Sequence, residues 1–208
     1  MLFKKFFLGF VVFSFASIAS AATLKAGSGI DIAVLNGEKV ASKSVELQPG
    51  ENQLVLEFGG RLRDGGKEEY LSFYPYVAVI NSDGYQNIEV TTLSNQYNKI
   101  ENLSDDKKPV YKFVADGKEI DSKQFVLPAP AGAFPYRDVL ALITAYNKEH
   151  GLVFESGKIR SLKKEIEQVN GGKAVTGETE NILQLKLWYS RANPEEREQF
   201  EQWVKSQS

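Results

Sequence analysis

The chain has 208 residues, with 25 Lys and Arg against 27 Asp and Glu, one His and no Cys. The lack of Cys excludes disulfides, thiolate metal sites and a thiol nucleophile, and a single His excludes a His-cluster metal centre within a monomer. A formal net charge of −2 excludes the strongly basic surface of a typical nucleic-acid binder.

Residues 1–21 open with Met-Leu-Phe-Lys-Lys, continue through an apolar run from Phe6 to Phe15 and end in Ala19-Ser20-Ala21. A basic start, a short apolar centre and an Ala-x-Ala motif describe a cleaved secretory signal. The apolar run is shorter than the roughly 20 residues that span a bilayer. The expectation is a periplasmic protein, with release to the medium also open, and no stable membrane insertion after cleavage. Loss of Lys4 and Lys5 makes the mature chain more acidic still.

Residues 22–127 show short alternating segments punctuated by turn residues. Ile30–Leu35 is stopped by Asn36-Gly37, a pair suited to a tight hairpin because both residues tolerate positive φ. Ser44–Leu47 closes at Pro49-Gly50, and Gln53–Phe58 alternates with Leu54, Leu56 and Phe58 on one face. The Gly59–Lys67 stretch reads as a mobile Gly-rich hairpin loop; Arg61, Arg63 and Lys67 there lack a phosphate-loop motif. Leu71–Ile80 is the strongest strand, and Pro75 within it marks an edge, a bulge or a break. Ile88–Thr92 follows the Asp83-Gly84 turn, Val110–Val114 precedes Asp116-Gly117, and Phe125–Leu127 ends the series. Ser94–Lys108 is polar and without period, so an exposed loop is expected there. Strand spacing of roughly 8–12 residues indicates an antiparallel β-sandwich-like domain.

Residues 128–135 form a Pro/Ala connector, after which the period becomes helical over residues 136–208. Val139, Leu142, Ile143 and Tyr146 share one helix face that ends near Gly151. Ile159, Leu162, Ile166 and Val169 predict a second helix, ending at Gly171-Gly172. Ile182, Leu185 and Tyr189 line a third, with Leu183 and Leu187 beside them. Asn193-Pro194-Glu195-Glu196 starts a fourth, with a capping Asn, Pro in the first turn and acids at the positive helix end. Phe200, Trp203 and Val204 form its apolar face. The fold class is therefore α+β, with the helical segment packed on the sandwich. Trp188 and Trp203 are expected to be buried in that contact, making Trp203→Ala cost about 3–5 kcal/mol.

Candidate chemistry is sparse. His150, beside Gly151, reads as a helix-end residue and not as a general base. The pairs Glu68-Glu69, Asp105-Asp106 and Glu195-Glu196 read as solvated charge. No cofactor motif, calcium loop or nucleophile elbow is present. Tyr70, Phe73, Tyr74 and Tyr76, with Tyr85 nearby, form an aromatic-rich patch that could bind a peptide strand or stack on sugars.

Three blocks resemble the YccT family of exported proteobacterial proteins, also labelled curli assembly inhibitors (CsgI). They are Ile-Asp-Ile-Ala-Val-Leu-Asn-Gly-Glu-Lys-Val at Ile30–Val40 and Val-Glu-Leu-x-x-Gly-x-x-Gln-Leu-Val-Leu at Val45–Leu56. The third is Leu-Lys-Leu-Trp-Tyr-Ser-Arg-Ala-Asn-Pro at Leu185–Pro194, continuing to Phe200-x-x-Trp203. The resemblance implies an exported, non-enzymatic protein whose partner is an exported amyloid-forming subunit, and it transfers no site residue. An alternative is a cell-envelope or carbohydrate-binding module using the aromatics, and a third is a hydrolase built on carboxylates and His150. The sequence leaves the oligomeric state open.

Overall fold

The structure, a computed structural model, describes residues 21–155, 158–169, 171, 177 and 179–207. The predicted signal lies outside these residues apart from Ala21, as does Gly172 of the predicted second helix end. The β half holds β1 (Ala22–Ala26), β2 (Ile30–Leu35), β3 (Glu38–Ser42), β4 (Ser44–Leu47), β5 (Glu51–Asp64), β6 (Lys67–Asn81) and β7 (Asn87–Thr92). Helix α1 (Tyr97–Asp105) then precedes β8 (Tyr111–Ala115), β9 (Lys118–Ile120) and β10 (Ser122–Val126). The remainder is α2 (Val139–His150), the hairpin β11 (Leu152–Glu155) and β12 (Lys158–Ser161), α3 (Leu162–Val169), α4 (Glu180–Arg191) and α5 (Pro194–Ser206).

Turn chemistry sets the hairpins. Asn36 and Gly37 take φ of 48° and 80°, and Asp116 and Gly117 take 50° and 77°. Paired positive φ matches the right-handed strand twist, so β2–β3 and β8–β9 close tightly. Two five-stranded sheets result, ordered β4-β1-β7-β8-β9 and β10-β6-β5-β2-β3. Their pairs are antiparallel except β1 with β7, which run parallel. The apolar faces of both sheets meet in one core that includes Leu24, Ile32, Leu54, Leu56, Tyr76, Val90 and Phe113.

The central strands are buried on both faces. Leu54, Leu56 and Phe58 of β5 point into the sandwich, while Val55 joins Val34, Val77, Leu127 and Ile143 beneath α2. This second layer is why Gln53–Phe58 is less cleanly amphipathic than a solvent-facing strand. α2 is started by Asp138, whose carboxylate accepts from the Ala141 N–H, and stopped by Gly151 in the left-handed region at φ 62°.

Five expectations are corrected. Ser94–Lys108 is not a loop throughout, since α1 buries Ile100 and Ser104 against the sandwich. Gly59–Lys67 is not a mobile loop, because β5 runs to Asp64 and β6 begins at Lys67 around a Gly65-Gly66 turn. Ile159 lies in β12, and the second helix begins only at Leu162. Leu183 and Leu187 are the buried side of α4, packed on Leu162 and Ile166 of α3. The opposite side of α4 faces solvent, so Trp188 is 59% exposed, and Trp203 of α5 is 58% exposed, instead of both being buried. Among the described residues no helix is long and apolar enough to cross a membrane.

Candidate functional site: an open strand edge and its cleft

β5 and β6 are longer than their neighbours and form an arm that continues past β2 and β10. Their register runs from Glu51↔Asn81 to Asp64↔Lys67, whereas β2 ends its pairing at Ile30↔Phe58 and β10 at Val126↔Tyr76. The inner face of the arm carries Leu62 and Leu71, which are buried in the same core as Ile100 of α1. α1 therefore exists to cover the arm. Its sequence shows neither a side-chain cap nor an acidic first turn, so the helix is stabilised chiefly by this packing.

The two edges of the arm differ. On the β5 side, Gly59 N–H donates to the Gly29 carbonyl at 2.9 Å and Arg63 N–H to the Asn95 carbonyl at 2.8 Å. On the β6 side, Lys67–Tyr74 pairs with β5 alone among the described residues. Backbone alternation follows from those anchors. Gly59 and Arg63 face away from β6, so Phe58, Gly60 and Leu62 bond Phe73, Leu71 and Glu69, and the polar groups of Tyr70 and Ser72 point outwards. Folded proteins usually keep exposed edges short or charged; here Lys67, Glu68 and Glu69 supply the charge at one end only.

The edge stops at a bulge. Pairing shifts between Leu56 and Phe58, so Tyr74 and Pro75 stand opposite the single residue Glu57. Pro75 is buried, and its carbonyl accepts the Leu127 N–H at 2.8 Å, so Pro75 occupies the bulge and the open edge lies before it. At this point an open cleft of about 540 Å³ forms between β6, the end of α1 and Tyr136. Glu57, Phe73, Tyr74, Pro75, Asp105 and Tyr136 line it. The Tyr74 and Tyr136 rings are 5.5 Å apart, and the Tyr136 hydroxyl donates to the Leu127 carbonyl at 3.0 Å. Burial, then the charge of Asp31, holds the Glu57 carboxyl above its usual range, against an opposing pull from Lys39.

The candidate aromatics separate by depth. Tyr70 and Tyr74 are 62% and 52% exposed. A Cβ at Gly59 would come within 2.7 Å of the Tyr70 hydroxyl, so glycine there lets Tyr70 lie across the arm. Phe73 is half-buried and stacks on Phe58 at 5.0 Å. Tyr76 is a core residue whose hydroxyl donates to the Lys108 carbonyl at 2.9 Å, so it offers no surface. Tyr85 packs half-buried against the same core. Glu57, Asp105 and Tyr136 were not legible as site residues, because only the bulge and α1 bring these three distant segments together.

His150 ends α2, with Nδ1 2.8 Å from the Tyr146 carbonyl and its ring stacked on Tyr146 at 3.9 Å. Among the described residues no cluster of three His, Asp or Glu side chains could hold a metal. Glu196 reciprocates the Asn193 cap of α5, and Asp106 pairs with Lys108 at 2.7 Å.

Taken together these features define a mixed α+β protein of two packed sheets with a projecting hairpin arm. The chain belongs to the family described as "Uncharacterized protein conserved in bacteria (DUF2057)", whose model matches residues 23–203. It is 28% identical over 193 residues to UPF0319 protein VV1_2115 of Vibrio vulnificus, covering 90% of this chain and 91% of that protein. It is 27% identical over 205 residues to UPF0319 protein YccT of Escherichia fergusonii, covering 90% of each. UPF0319 protein VP1009 of Vibrio parahaemolyticus is 26% identical over 188 residues, with 89% and 86% covered. No solved structure matches the chain.

Proposed function

We propose that this protein is an exported, non-enzymatic binding protein that captures another polypeptide by adding one of its strands to β6. The open edge Lys67–Tyr74 carries the reading: its outward N–H and C=O groups are the template that strand addition requires. The YccT resemblance supports an exported amyloid-forming subunit of the curli type as the polypeptide. Amyloid grows by strand addition to a free edge, and a folded domain seated there blocks the next subunit. The leader-like first 21 residues support meeting that subunit in the periplasm.

The test adds purified protein at substoichiometric ratio to a curli-type subunit and follows growth by dye fluorescence. The expected result is a lengthened lag. Ser72→Pro deletes one outward N–H while leaving the bonds to β5, and should restore the normal lag with the fold intact by circular dichroism. An unchanged lag with the parent protein overturns the reading.

Exposure of Tyr70 and Tyr74 on the arm favours a second reading, a module that stacks on envelope glycans. Glycan binding that is lost in Tyr70→Ala and Tyr74→Ala, with unchanged melting, would select it over strand capture.

A further inference from the structure

The cleft lies at the end of the open edge, and Ser72, Phe73 and Tyr74 belong to both. Whatever strand pairs with Lys67–Tyr74 therefore carries one side chain to the cleft mouth. We infer that this side chain is a Lys or Arg, so that the protein selects strands bearing a cationic group beside Tyr74; the inference rests on the strand-capture reading above.

Charge and ring geometry support that choice. The lining contains the carboxylates of Glu57 and Asp105 and no cationic side chain. Among the described residues, neither carboxylate takes part in a recorded ion pair; Asp31 and Asp106, their neighbours, are the ones held by Lys43 and Lys108. Glu57 is thus a half-buried acid whose pKa is raised by burial and by Asp31, and the pull of Lys39 offsets this only in part. An incoming cation supplies the missing partner. The Tyr74 and Tyr136 rings, 5.5 Å apart and tilted by 42°, offer π faces that attract ammonium and guanidinium groups and give nothing to a carboxylate. An acidic strand would meet like charge at this position, which makes the cleft a filter against it.

Calorimetric titration of the purified protein with synthetic alternating Thr-Val octapeptides tests this. One peptide carries a central Arg, a second carries citrulline in its place, and a third carries Arg on a backbone N-methylated at alternate residues. The expected result is at least tenfold tighter binding of the Arg peptide than of its citrulline twin. Glu57→Gln with Asp105→Asn should remove that preference, bringing the Arg peptide to the affinity of its citrulline twin. The parent-protein comparison needs no variant, so it stands even if the double substitution fails to fold. Equal binding of the Arg and citrulline peptides, with the N-methylated one weakened, overturns the cation pocket and leaves strand capture intact. Undiminished binding of the N-methylated Arg peptide overturns strand capture, and with it the strand-borne cation. No binding of any peptide overturns both.

Discussion

Gln53 of β5 and Asn147 of α2, 94 positions apart, exchange two side-chain hydrogen bonds of 2.8 Å each, with both amides buried. This reciprocal pair fixes the rotation and height of α2 on the outer face of the sheet, where the apolar contacts around it are non-directional. Gln53→Ala or Asn147→Ala leaves the opposite amide buried and unpaired, and each should cost about 2–3 kcal/mol. Replacing both by Leu should cost less than the sum of the single changes. Urea unfolding of the four proteins checks the coupling; additive costs would show that the pair does not act as a unit.

Tyr76 and Tyr111 sit with their rings 6.0 Å apart and nearly perpendicular, yet among the described residues only the Tyr76 hydroxyl of the two has a partner. Tyr111→Phe removes a buried, unpaired hydroxyl and should stabilise the protein by about 1 kcal/mol. Tyr76→Phe loses the bond to the Lys108 carbonyl and should destabilise it by about 1 kcal/mol. Opposite signs in the two denaturation midpoints are the expected outcome.

Glu57 has its carboxyl raised above the usual value of 4.5, chiefly by burial. The unfolded chain carries no such penalty, so the native state gains a proton first as pH falls. Charged Glu57 therefore opposes folding at neutral pH, and this opposition fades as pH drops from neutral through the raised pKa towards 4.5. Glu57→Gln should be more stable than the parent at pH 7, with the gap narrowing at pH 5. A Gln variant less stable at pH 7 would show that Glu57 is already satisfied in the fold.

Trp203 is 58% exposed, and α5 has no buried residue among those described. The cost of about 3–5 kcal/mol expected for a buried ring gives way to less than about 1 kcal/mol for Trp203→Ala. Trp188 and Trp203 should also be quenched by iodide nearly as readily in the folded protein as in urea. Leu185, Trp188 and Phe200 line a small apolar cleft of about 180 Å³ between α4 and α5.

Sequence alone determined what local chemistry controls. Asn36-Gly37 and Asp116-Gly117 closed their hairpins because few other residues adopt paired positive φ, and the Asn193–Glu196 capping box started α5 as its spacing required. Alternation along Gln53–Phe58 and Leu71–Ile80 placed the sandwich core. Tertiary structure decided the rest, wherever two local solutions were equally good or the deciding partner was remote. α4 carries two apolar stripes, and only contact with Leu162 and Ile166 of α3 buries Leu183 and Leu187 and leaves Ile182, Leu185 and Tyr189 outside. α1 lacks capping signals and forms because the β5–β6 arm needs its inner face covered. The cleft joins Glu57, Tyr74, Asp105 and Tyr136 from four segments, and no local period encodes a contact whose energy comes from chain pieces that meet only after folding.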